Sequence, residues 1–100
     1  MKIEGDTLVC KSYKHHYADE ISGRKCCTVR QVPENEWNES ILAFTFPIAM
    51  HYEHHKRIRI VCVEEPEQQF ERAITHVEIL GGVLYHTLLL ICWRHEEEEQ

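Results

Sequence analysis

Two long runs of strand-forming residues, Phe70 to Leu80 and Val83 to Arg94, flank the pair Gly81-Gly82. Paired glycines accept the positive φ angles that a tight strand connection needs, so this segment reads as an antiparallel hairpin that the rest of the chain must cover. In the second run Leu88, Leu89, Leu90, Ile91, Cys92 and Trp93 are apolar on both parities. Such a strand is expected to be covered on both sides or to line a closed barrel.

The elements before the hairpin follow from the same periodicities. From Lys56 the pattern alternates, with Ile58, Ile60 and Cys62 on one face and Arg57, Arg59 and Val61 on the other, which predicts a strand with one wetter side. Glu64 to Gln68, which contains Pro66, is a turn. Near the start, Thr7 to Cys10 reads as a short strand behind the turn residues Gly5 and Asp6. Ser12 offers a helix N-cap, Tyr13, Tyr17 and Ile21 align on one helical face, and Gly23 suits the left-handed position that ends a helix over Lys14 to Ser22. Cys26 to Val32 is a strand ended by Pro33. Glu34 to Phe44 returns to helical spacing through Trp37, Ile41 and Phe44, with Glu34, Glu36 and Glu39 near its start, and Phe46 and Pro47 close it. Ala49 to His55 is then a histidine-rich loop.

The order strand, helix, strand, helix and three strands predicts one α+β domain over residues 1–95, with 96–100 as an acidic tail. A small, mixed, mainly antiparallel β-barrel, partly closed and with two short helices at its mouth, accommodates that order without a long crossover. A chain of 100 residues is long enough to bury one core without disulfides or metals. Its net charge of -6 argues against broad, sequence-independent binding to DNA or RNA, while leaving room for a small nucleotide ligand. Five cysteines, at 10, 26, 27, 62 and 92, form an odd set with no C-x-x-C pair. They are expected to be free thiols, acting as small buried hydrophobes in a reducing cytoplasm. Residues 1–6 carry charge of both signs with no apolar run behind them, and Thr87 to Trp93 is far shorter than the ~20 residues of a membrane helix. The expectation is a soluble protein with no membrane partner.

The stretch Gly23 to Arg30, G-R-K-C-C-T-V-R, concentrates the chemistry. Thr28 and Arg30 share one strand face, and Lys25 stands at the mouth of the turn with a stem long enough to reach either face. Gly23, Lys25, Thr28 and Arg30 also match the spacing G-x-K-x-x-(E or T)-x-R, and in this the segment resembles the ASCH domains of the PUA-like superfamily, small β-barrels associated with RNA and modified nucleosides. The residues His16 to Ser22 resemble the short helix that leads into the family's glycine. The likeness is specific over about Tyr13 to Arg30 and is one of strand pattern over Arg57 to His95. It implies a PUA-like barrel with a pocket around Gly23, Lys25, Thr28 and Arg30 that recognises RNA or a small nucleoside or nucleotide.

Most family members carry glutamate where this chain has Thr28. The threonine form is similar to bacterial ASCH proteins that act as acetylcytidine amidohydrolases, which implies Thr28 as nucleophile, Lys25 as its activating group and a glutamate from later in the chain. A threonine hydroxyl needs such a neighbouring base, and a desolvated lysine can serve. Among Glu64, Glu65, Glu71 and Glu78, the strand residues Glu71 and Glu78 are better placed than the two turn residues. The plainer reading has Lys25 solvated, Thr28 as a strand former and Arg30 paired with a glutamate, which would leave a small interaction domain with no ligand.

The remaining polar features have two readings each. His51 to His55, H-Y-E-H-H, gathers potential metal ligands, but a polar loop accounts for it, so neither metal nor cofactor is expected. His76 and His86 read as sheet residues. Tyr13, Tyr17 and Trp37 are expected in the core, with base stacking as the alternative. Lys56, Arg57 and Arg59 form the chain's one basic row, which beside Arg30 would bind a phosphate and otherwise would be solvated.

Overall fold

The computed structural model describes residues 1–32, 39–81 and 87–96. The strands are β1 (Lys2–Glu4), β2 (Thr7–Ser12), β3 (Cys27–Val32), β4 (Arg57–Cys62), β5 (Gln69–Leu80) and β6 (Thr87–Trp93), and the helices are α1 (Lys14–Ser22) and α2 (Glu39–Ala49). The expected elements on Pro33 to Trp37, on Gly82 to His86 and on most of the acidic tail lie outside the described residues.

The six strands form one mixed sheet in the order β1-β2-β4-β5-β6-β3, in which only the β2/β4 pair is parallel. The hairpin dominates it: β5 pairs antiparallel with β6 from Leu80/Leu88 down to Ile74/Trp93, a register that corrects the expected two-glycine connection, since a turn made of Gly81-Gly82 alone would set Leu80 against residue 83. A register shift between Ile74 and His76 divides β5, and its two halves join different neighbours, β4 on one side and β6 on the other. Such an irregularity bends a strand, and here it lets both halves of the sheet face one core. Leu8, Ile58, Ile60 and Phe70 from the first half and Val32, Leu89, Ile91 and Trp93 from the second belong to the same buried cluster.

The sheet does not close into a barrel. β1 and β3 end it as edges, and no backbone ladder joins β3 to β2 among the described residues. β6 accordingly covers one face only: Leu89, Ile91 and Trp93 are buried, while Leu88, Leu90 and Cys92 are half-buried. Its continuous apolar run therefore overstated how fully it is enclosed.

Several local expectations are met and others corrected. β2 extends through Ser12, so Ser12 belongs to a strand, and the N-cap position falls to Tyr13, which makes no side-chain cap. Glu64, from the β4-β5 turn, takes that role: its Oε2 accepts the Lys14 N–H at 2.6 Å, and Glu65 pairs with Lys14 Nζ at 3.1 Å. Gly23 ends α1 at φ 86°, as its position predicts. The buried face of α1 is Tyr17 and Glu20, and Tyr13 is 62% exposed, so the expected Tyr13-Tyr17-Ile21 stripe is rotated. α2 continues through Pro47 to Ala49 because Ile48 buries with Ile41 and Phe44 on one stripe, a gain that outweighs the hydrogen bond proline cannot make. Of the cysteines, Cys10 and Cys62 are buried as expected but Cys27 is exposed. No helix among the described residues is long and apolar enough to cross a membrane.

A side chain at Gly23 is disfavoured for two independent reasons. A Cβ there would carry φ 86° and would stand 2.7 Å from His95 Nδ1. Gly23→Ala is expected to lose about 1–2 kcal/mol from backbone strain. Thermal denaturation checks this: adding His95→Ala relieves the contact and leaves the strain component.

Candidate functional site

The inner face of β3 carries Thr28, Arg30 and Val32, while Cys27, Val29 and Gln31 point outward. Thr28 is buried at 4% exposure, and its Oγ1 accepts a hydrogen bond from Arg30 Nε at 3.0 Å. The rest of the Arg30 fork crosses the gap in the sheet. Nη2 donates to Ser12 Oγ at 3.0 Å and Nη1 to the Lys11 carbonyl at 2.6 Å. Ser12 offers its own carbonyl to Val63 N–H on the β4 side, so the Lys11 carbonyl, one residue earlier, faces the opposite edge. β1 pairs with β2 only as far as Val9, and beyond it that edge has no strand partner among the described residues. Arg30 thus supplies by side chain the link that a closed barrel would make by backbone, and among the described residues it pairs with no glutamate.

α1 covers this end of the sheet and delivers the fourth member of the group. Glu20 is 0% exposed, both carboxylate oxygens are buried without a hydrogen-bond partner among the described residues, and Lys25 Nζ stands 3.8 Å from Oε2. The Lys25 backbone is tied to the same helix through its N–H to the Asp19 carbonyl, 3.1 Å. Lys25, Thr28, Arg30 and Glu20 converge on one cavity of about 200 Å³, with Tyr13 and His16 also on its wall. Behind it, burial pushes the Cys10 thiol up, and the Arg30 guanidinium pulls the other way.

The other expected site residues lie elsewhere. Arg59 stands across from Glu71 in the β4-β5 ladder and binds it at 2.7 Å, with Glu4 at 2.7 Å on its other side. Arg57 faces Glu71 at 3.6 Å and Glu96 at 3.4 Å, and Lys56 binds Asp6 at 2.8 Å. The basic row is therefore neutralised by its own acids, and none of it lines the Arg30 cavity. Glu78 pairs with His76 at 3.1 Å, away from the cavity. His51, at φ 63°, stacks on His76 with centroids 6.2 Å apart. No three His, Cys, Asp or Glu side chains among the described residues gather to hold a metal ion.

Glu20 is the residue sequence reasoning missed. Two signals pointed to it: it lies three residues after Tyr17 on the same helical face, and it places a carboxylate in the last turn, where the helix dipole opposes it. Tyr13, expected in the core, stands instead at the cavity wall, where an exposed ring is available for stacking.

No family model matches the chain, and searches of curated proteins and of solved structures return no match.

Proposed function

We propose that the chain is a PUA-like domain of the ASCH type whose cavity recognises the head of a nucleoside, a nucleotide or an RNA end. The observation that carries this is the convergence of Lys25, Thr28 and Arg30 with the buried Glu20 in one cavity. A volume of about 200 Å³ is below the ~300–1,000 Å³ of sites for larger ligands, which suits a single planar ring with its sugar left outside. Thr28 and Lys25 are hydrogen-bond donors for ring or acyl oxygens, and Tyr13 offers a stacking face. With Lys56, Arg57 and Arg59 all held by carboxylates, the net charge of -6 is left to discourage non-specific DNA binding.

Recognition is favoured over hydrolysis by the Lys25-Glu20 pair. Paired as an ammonium, Lys25 donates hydrogen bonds, whereas activating Thr28 calls for the neutral amine. One observation keeps an amidohydrolase reading alive: the Arg30 Nε–H aimed at Thr28 Oγ1 would stabilise an alkoxide there. In that reaction Lys25 first passes a proton to Glu20, which replaces Glu71 and Glu78 as the acid. Thr28 then loses its proton to Lys25 and attacks the acyl carbon, the amide C–N bond breaks with the proton returned to nitrogen, and water frees the acyl group.

A thermal-shift series with cytidine, uridine, acetylcytidine and their 5′-phosphates tests both. A ligand at 100 times its Kd is expected to add about 2.7 kcal/mol, and Thr28→Ala is expected to lose that shift. No shift with any of them, or shifts unchanged in Thr28→Ala, would reject the pocket. Cytidine release from acetylcytidine, followed by absorbance and absent in Thr28→Ala, would establish the hydrolase instead.

A further inference from the structure

The outer face of β3 carries a second piece of chemistry. In the antiparallel β3/β6 ladder Cys27 stands directly across from Cys92. The neighbouring pair is Cys26 and Trp93, where the Trp93 N–H donates to the Cys26 carbonyl at 3.0 Å. Hydrogen-bonded and non-hydrogen-bonded pairs alternate along such a ladder, so Cys27 and Cys92 occupy the closer, non-hydrogen-bonded kind. Residues in such a pair lie about 4.5 Å apart between Cα atoms, with side chains on the same face. A disulfide spans about 4.4–6.8 Å between Cα atoms, so the backbone needs no rearrangement to carry one here.

The other three cysteines lack this arrangement. Cys10 and Cys62 are buried in the core, and Cys26 turns its thiol to the Gly23 carbonyl at 3.5 Å. Cys27 is exposed and Cys92 half-buried, flanked on its other side by His76 of β5. Burial pushes the Cys92 thiol up, with Cys27 and Glu78 adding to the effect. The accessible thiol is Cys27, and Cys92 is placed to resolve whatever forms on it.

We propose that Cys27 and Cys92 are a redox pair that a peroxide converts to a cross-strand disulfide. The Cys27 thiol gives up its proton, the thiolate attacks one oxygen of hydrogen peroxide, the O–O bond breaks, and the leaving hydroxide takes that proton to form water beside the sulfenic acid. The Cys92 sulfur then attacks the Cys27 sulfur and expels the second water, so two thiols give up two electrons to one peroxide. A dithiol reductant reverses the step by exchange. The bond ties the edge strand β3, which supplies Thr28 and Arg30 from its opposite face, to β6. This inference is independent of which ligand the cavity takes.

The test is mild oxidation of the whole native chain with hydrogen peroxide, followed by thiol counting, intact mass and peptide mapping. The five free thiols are expected to fall to three, with the mass of a monomer lower by two hydrogens and one linked peptide containing Cys27 and Cys92. Cys26→Ser is expected to leave this unchanged. Cys92→Ser is expected to abolish the link and to let Cys27 run on to sulfinic acid. A link through Cys26, a link between chains, or Cys27 oxidised to sulfinic acid in the wild type with Cys92 still free would each overturn the proposal.

Discussion

Glu20→Met is expected to raise stability by roughly 1–3 kcal/mol while weakening ligand binding tenfold or more. A buried carboxylate with neither oxygen hydrogen-bonded among the described residues costs that much in lost solvation, and the cation beside it, Lys25, stands at 3.8 Å and is still 38% exposed. Methionine keeps the volume and helix propensity, adds apolar contact beside Tyr17, and releases Lys25 to water. For a domain of this length the gain appears as a rise in Tm of about 4–8 °C per kcal/mol. The opposite sign would show that the Glu20-Lys25 ion pair is net stabilising, because breaking a buried pair costs about 3–5 kcal/mol. Isothermal titration with the best nucleoside ligand separates stability from function. Wild-type affinity in a stabilised Glu20→Met chain would remove Glu20 from the site.

Arg30→Ala is expected to cost roughly 2–4 kcal/mol and to abolish binding. The substitution deletes hydrogen bonds to Thr28 Oγ1, Ser12 Oγ and the Lys11 carbonyl, and with them the bridge between the unpaired edges of β3 and β2. Bonds from a charged donor contribute about 1.5–3 kcal/mol each, discounted here because the bond to the Lys11 carbonyl lies at the surface. Arg30→Lys is expected to recover less than half, since one ammonium cannot reach three acceptors set out for a planar fork. Urea denaturation followed by Trp93 fluorescence reads the loss, Trp93 being 3% exposed on the strand next to β3. A loss below 1 kcal/mol in Arg30→Ala would mean that the gap in the sheet is held by packing alone.

What the amino-acid order determines by itself is local. The Gly23 stop at positive φ, the alternation of Arg57 to Cys62 and the shared face of Thr28 and Arg30 all depend on neighbours a few residues apart. Backbone geometry and a single buried face are enough to specify them. The extent of α2 was not local in this sense: Pro47 signals an end, and only the stripe Ile41, Phe44 and Ile48 against the sheet carries the helix past it.

The site itself was half legible. Lys25, Thr28 and Arg30 lie within six residues, so their approach follows from one turn and one strand. Their acid could not be found the same way, because the candidates differed only in which element would fold over the cavity. Tertiary packing directed Glu71 into the Arg59 ladder pair and Glu78 to His76, and the docking of α1 brought Glu20 to Lys25. The same packing left no backbone ladder between β2 and β3 among the described residues, which is why Arg30 spans an open sheet where a partly closed barrel was expected. Charge partners and strand closure depend on distances between elements far apart in the chain, and those distances exist only once the core has formed.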